Sequence, residues 1–346
     1  MKKFLILVMT VTLIVGFSSM AADVRAKETV RIAYVPILHF GAVYVAAERG
    51  YFAEQGIEPQ FVKVRSGTEC IAFLSEGKVS VGAIAVVASA WNAFQKGMDL
   101  RIVASAGLKR KKDDPTKFLV RADLYDSGEV TKPSNLKGRR VAMAGGPGSG
   151  GEYMVAKALE GSGLTVFDVK MSKIGNPDMP AAFKTKAIDA ALVGAPYSDQ
   201  ILMAGTAKTL VKDMVPGAMT VVFVYSGKFM QERREVAKKF MVALMKGARD
   251  MQGKKYLDAK NMAAYMKYQR SSEKAIRKGM PMLFDPNLTI YTESLGDIER
   301  IHMKNGRLTY SKPIDKKKVV DSSFQEYAVS VLGKAKMVPP VTEATK

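Results

Sequence analysis

The chain has 346 residues, 47% of them hydrophobic, which supplies a sizeable core and favours two domains over one. Its single cysteine, Cys70, excludes an intramolecular disulfide and reads as a small buried apolar group, while His39 and His302 do not form a metal-ligand set by themselves. The formal charge of +20 suits an acidic partner, but the basic residues are scattered among acids and their densest groups, at 109–112, 233–234, 238–239 and 316–318, read as solvated surface. No aromatic-interleaved basic motif points to nucleic acid.

Lys2 and Lys3 precede an apolar run over 4–17, and Ser19-Met20-Ala21 or Val24-Arg25-Ala26 offers small residues to a peptidase. Residues 1–26 therefore read as a signal peptide cut after Ala21 or Ala26, and the periplasm as the destination. The run is too short to cross a bilayer comfortably, and no second run of about 20 apolar residues follows. No cysteine stands near the cut for a lipid anchor.

Residues 30–35 read as a first strand ending at Pro36, and the small apolar residues from Phe40 as a helix ending near Gly50 or Gly56. A strand over 61–64, a helix ending near Glu76 with Thr68 as its cap, a strand over 79–84, a helix over 88–96 and a strand over 100–104 follow. This alternation predicts a largely parallel α/β lobe. A polar crossover at 109–115 leads to a second set: strands over 118–120, 140–144, 166–171, 188–193, 210–211 and 221–225, with helices over 152–159, 180–186 and 196–203. Beyond Lys228 long helices take over, with Val236, Phe240 and Leu244 facing a core. The expected division is 27–116 with 225–346 as lobe 1 and 117–224 as lobe 2, joined by a two-segment hinge beside a cleft.

Two strand-to-helix turns carry the candidate binding residues. In the glycine-rich run 144–151, Ser149 and the amides of Gly150 and Gly151 can donate to a carboxylate or sulfonate, with a purely structural turn as the alternative. Gly146, Gly148 and Gly151 fit a dinucleotide spacing, but that pattern alone is weak and no Gly-Lys-Ser or Gly-Lys-Thr accompanies it. In the second turn, Thr68 either contacts a ligand or caps its helix, and Glu69 either pairs with a ligand amine or serves the positive end of that helix. Tyr34, His39 and Phe40 can wall a pocket with a polar handle from His39, and Ala85 and Tyr197 stand at later turns that can face the same crevice. No spacing establishes a nucleophile with its base, so binding without chemistry and without a cofactor is the expectation.

Glu48-Arg49-Gly50-Tyr51-Phe52-Ala53-Glu54-Gln55-Gly56-Ile57, Leu74-Ser75-Glu76-Gly77-Lys78-Val79-Ser80-Val81-Gly82, Pro133-Ser134-Asn135-Leu136-Lys137-Gly138-Arg139-Arg140-Val141-Ala142 and Ala187-Ile188-Asp189-Ala190-Ala191-Leu192-Val193 with Pro196 occur in that order. Together they resemble the periplasmic solute-binding proteins of the nitrate, sulfonate and taurine transport group, the SsuA/THI5-like and NMT1-like superfamily. Ser80 replaces a frequently acidic position. The resemblance implies an α/β type II binding fold, capture of a small anionic solute, and delivery by a monomer to an ABC permease with its cytoplasmic ATPase. A ligand sensor that signals through a membrane receptor is the alternative, and an exported enzyme a more distant one.

Overall fold

Of the strand-forming residues Val30 to Tyr34 in β1 (Glu28–Tyr34), all but Arg31 are buried, and the strand pairs in parallel with β2 (Ile57–Lys63) and β3 (Val81–Ala85). The computed structural model describes residues 27–269 and 272–345, so the expected signal segment lies outside the described residues. β4 (Leu100–Ser105) and β11 (Val221–Ser226) complete a five-stranded sheet of order β2-β1-β3-β11-β4. Between them, in sequence, a short β5 (Gly107–Leu108) pairs with the distant β12 (Leu283–Phe284). β6 (Lys117–Arg121), β7 (Arg140–Met143), β8 (Lys170–Lys173), β9 (Ala190–Val193) and β10 (Ala207–Val211) form a second sheet of order β10-β6-β9-β7-β8. The molecule is thus a mixed α/β protein of two sheet-containing lobes with the type II periplasmic binding protein architecture.

The expectation of a largely parallel fold is corrected. β11 runs antiparallel to both β3 and β4, and β6 runs antiparallel to both β9 and β10. β6 and β11 are the strands on which the chain first enters the second sheet and finally returns to the first, and each return reverses its direction relative to its neighbours. The expected boundary at 225 falls inside β11, whose residues from Val221 onward all pair within the first sheet.

Gly50, at φ 79°, ends the helix Gly41–Glu48, and a short turn Tyr51–Glu54 follows it before Gly56 leads into β2. The amphipathic helix Arg234–Asp250 lays its apolar face on Gly41–Glu48; a side chain at Gly247 would stand 2.2 Å from the Ala42 carbonyl oxygen, so only glycine permits this approach. Cys70 is buried in the first lobe beside Gly82, as expected of an apolar group.

His302, in the helix Thr292–Lys304, is fully buried, and burial pushes its pKa down to about 4. The unfolded chain binds this proton near pH 6.5, so it holds more protons than the folded chain between pH 6.5 and 4. The fold is therefore expected to keep full stability from this group above pH 6.5 and to lose about 3 kcal/mol as pH falls through that window. Urea unfolding of wild type and His302→Gln at pH 7 and 4.5 checks this; an equal pH dependence in both proteins removes His302 as its source.

Candidate binding site

The carboxyl ends of β1, β3, β7 and β9 and the turns that follow them meet across the space between the two sheets, the place where open α/β sheets bind ligands. They line an inner cavity in which about 100 Å³ is open to the centre of a water molecule. Val35, Ile37, Phe40, Val87, Met154 and Leu192 supply apolar wall.

Two helices begin at this cavity, one from each lobe. Ser66 caps Gly67–Ser75 by accepting from the Glu69 amide at 3.4 Å, and Ser149 caps Gly150–Leu159 by accepting from the Glu152 amide at 3.2 Å. Each hydroxyl accepts in this bond and keeps its hydrogen for donation. The caps face each other closely: a side chain at Gly145, which has φ 83°, would reach both Ser149 at 2.7 Å and Ser66 at 3.3 Å. Both helix starts direct their positive ends at the cavity.

Part of the glycine-rich nest is already filled by the chain. The Gly148 amide donates at 2.6 Å to the carboxylate of Glu152, which is fully buried and receives Arg307 through Nε at 3.0 and 3.1 Å and Nη2 at 2.7 Å. Ser149, Gly150 and Gly151 remain on the cavity wall.

At the inner wall the side chains of His39, Lys109, Asp114 and Thr116 form a buried cluster. Lys109 Nζ lies 2.5 Å from Thr116 Oγ1, 3.1 Å from His39 Nε2 and 3.4 Å from Asp114 Oδ1, and Thr116 Oγ1 is also 3.1 Å from His39 Nε2. Burial, with the Lys109 charge second, holds the His39 pKa well below its usual range, so the ring is neutral; burial also lowers that of Lys109, against the opposing pull of Asp114. The reading of 109–112 as solvated surface is corrected at Lys109, which is 4% exposed because the crossover folds it inward onto His39.

Outside this cavity lies a wider vestibule of about 1060 Å³ bordered by Lys63, Arg65, Glu69, Lys173 and Asp178; Arg65 touches both spaces. Thr68 is exposed and is not the cap, because the helix begins at Gly67 and Ser66 occupies the capping position. Glu69 belongs to the vestibule, where it accepts from the Arg65 amide at 2.7 Å. Tyr34 packs edge-on against Tyr44, Phe61 and Tyr268, and Tyr197 donates to the Gln269 carbonyl at 2.7 Å; neither lines the inner cavity. His39, Ala85, Ser149, Gly150 and Gly151 are brought together. Sequence reasoning missed Lys109, Thr116, Asn176 and Arg65, whose polar side chains carried no local motif. Among the described residues no group of three or more His, Cys, Asp or Glu is placed to hold a metal ion, and no helix is long and apolar enough to cross a membrane.

The chain matches the family model described as NMT1/THI5 like over residues 38–254, more than half its length. It is 24% identical over 238 residues to the riboflavin-binding protein RibY of Chloroflexus aurantiacus, covering 64% of this chain and spanning 61% of that protein. Its fold is similar to that of the periplasmic nitrate-binding protein NrtA of Synechocystis PCC 6803, with a TM-score of 0.76 at 14% identity over 89% of each chain. It is also similar to the periplasmic aliphatic sulphonate-binding protein SsuA of Escherichia coli, with a TM-score of 0.66 at 16% identity over 86% of this chain and 99% of the other. With a family match of that extent and this two-lobed architecture around a central cavity, the chain belongs to the NMT1/THI5-like family.

Proposed function

We propose that this protein captures a small anionic solute, a carboxylate or a sulfonate, between its lobes in the periplasm and delivers it as a monomer to an ABC permease driven by a cytoplasmic ATPase. The lobes in this reading are 27–116 with 221–345, and 117–220, the chain crossing between them beside the cavity. The observation that carries the anion is the donor-rich lining. Two serine-capped helix starts from opposite lobes converge on the cavity, Arg65 stands at its edge, and among the described residues that line it there is no aspartate or glutamate. Carboxylate or sulfonate oxygens accept only, and so match such a wall. The small cavity volume favours a compact solute.

Isothermal titration with ethanesulfonate, propionate and the neutral propionamide tests this. The acids are expected to bind more tightly than the amide. Ser149→Ala is expected to weaken acid binding by about 1 to 3 kcal/mol, roughly 5-fold to 150-fold. Loss of the cap also costs about 1 kcal/mol of fold stability, which thermal unfolding reads separately. Equal affinity for propionate and propionamide, with no effect of Ser149→Ala, would move the site to the apolar wall and end the anion assignment.

A further inference from the structure

We propose that Lys109, held by Asp114 and Thr116, fixes His39 with its single proton on Nδ1, so that the inner wall presents a permanent N–H donor to an acceptor oxygen of the solute. Geometry gives the first half. A lysine ammonium has three hydrogens and accepts none, and its neighbours here are three: Asp114 Oδ1, Thr116 Oγ1 and His39 Nε2. Thr116 Oγ1, receiving from Lys109, also stands 3.1 Å from the same Nε2. The ammonium can only donate, so the single lone pair of Nε2 accepts from it, and a neutral imidazole with an unprotonated Nε2 carries its proton on Nδ1. Asp114 is itself anchored, accepting from the Thr116 amide at 2.8 Å and the Arg110 amide at 2.7 Å, so the ammonium has one place to sit.

The second half comes from what Nδ1 meets. His39 is 3% exposed and lines the cavity, and among the described residues its Nδ1 has no hydrogen-bond partner. A buried donor left unpaired costs free energy that a solute oxygen would recover. Gly194 lies beside it: a Cβ there would stand 4.0 Å from Nδ1 and 3.9 Å from Asn176 Oδ1, in ordinary contact with both. Asn176 commits that oxygen to the Gly194 amide at 3.1 Å, which leaves its amide hydrogens as donors on the same wall. The site so built favours acceptor oxygens and rejects ammonium groups. This use of His39 rests on the anion reading above, whereas the tautomer does not.

The molecule contains its own reference. His302 approaches the Val86 carbonyl oxygen through Nε2 at 3.5 Å, and a carbonyl only accepts, so His302 carries its proton on Nε2, opposite to His39. Two-bond proton–nitrogen NMR on protein labelled with ¹⁵N in its two histidine rings is expected to show one ring of each tautomer at neutral pH, with His39→Asn identifying the signals. Lys109→Met in combination with Asp114→Asn, which avoids stranding a buried carboxylate, is expected to convert His39 to a tautomer mixture while leaving His302 unchanged. A His39 ring protonated on Nε2 or on both nitrogens in the wild type overturns the proposal. Saturation with whichever of ethanesulfonate and propionate binds should shift the His39 Nδ1 resonance and not that of His302. His39→Phe should weaken that acid 5-fold to 150-fold, and His39→Asn, which keeps an N–H near the Nδ1 position, should weaken it less. Equal binding by wild type and His39→Phe removes the solute contact. If neither acid binds wild type, the anion reading fails, and the tautomer spectrum still decides the Lys109 assignment.

Discussion

Gly150→Val is expected to hold the lobes apart and to weaken solute binding more than 10²-fold while leaving each lobe folded. Gly150 opens the helix Gly150–Leu159 from the second lobe, and a Cβ there would lie 2.5 Å from Cβ of Ala85 at the end of β3 in the first. Carbon atoms in contact rest at about 3.5–4.0 Å, so one lobe must withdraw. Gly150 carries no positive φ, so its backbone accepts other residues, and the clash exists only when the lobes are together. Overpacking costs typically about 1–3 kcal/mol, and two further methyl groups beyond the clashing Cβ place valine at or above ~3 kcal/mol. Because the penalty falls on one of two states, it appears as lost closed population and as lost affinity of the same size.

The opposing partner supplies the control. Gly150→Ala introduces the Cβ alone and should give a smaller loss, and Ala85→Gly in the same protein removes the atom it strikes. The double variant is expected to recover closure, seen as compaction by small-angle X-ray scattering on saturation with propionate or ethanesulfonate, and to recover most of the affinity. Full affinity in Gly150→Val, or no recovery in Gly150→Ala with Ala85→Gly, would show that the contact between Ala85 and Gly150 does not define the liganded state.

Local chemistry made this contact surface half legible in the sequence. A glycine run between a strand and a helix identifies a turn that allows close approach, and the structure places Ser149, Gly150 and Gly151 on the cavity wall. What approaches them lies 65 positions away at Ala85, and no local pattern encodes that pairing. Helices and strands were likewise legible from periodicity, because their hydrogen bonds and buried faces repeat at short spacing. Strand direction was not: whether β11 runs with or against β3 depends on where a long excursion re-enters the sheet. Lys109 shows the limit most clearly. In sequence it heads a basic tetrad that reads as surface, and it is buried because Asp114 and Thr116, five and seven residues on, compensate its charge and hydrogens in a loop with no periodicity. Thr68 has a side chain able to cap a helix, and only the backbone, extended at Ser66, shows that the cap lies two residues earlier.

Arg307→Met is expected to cost the closed state about 3–5 kcal/mol, more than loss of its partner charge by Glu152→Gln. Glu152 belongs to the helix Gly150–Leu159, has a fully buried side chain and accepts both the Gly148 amide and the forked Arg307 guanidinium. Arg307 is tied to the other lobe: its carbonyl accepts from Asn92 in the helix Ala88–Gln95 at 3.1 Å, and the Thr309 amide returns a bond to Asn92 at 2.9 Å. The pair therefore crosses the cleft, in company with the hydrogen bond from Tyr153 to Asp297 at 2.7 Å. Removing Arg307 strands a carboxylate out of water, and the chain escapes that penalty by separating the lobes. Removing the Glu152 charge leaves a guanidinium whose side chain is 24% exposed and reaches solvent with little movement. In Glu152→Gln the side-chain amide oxygen still accepts the Gly148 bond, so the smaller loss, about 1–2 kcal/mol, is expected there. Combining Glu152→Gln with Arg307→Met relieves the stranded charge and should restore part of the affinity lost in Arg307→Met alone. Titration of the three variants with propionate or ethanesulfonate, and scattering on the same samples, measures the coupling. Equal losses in the two single variants, or a double variant no better than Arg307→Met, would show that this ion pair is not what holds the lobes together.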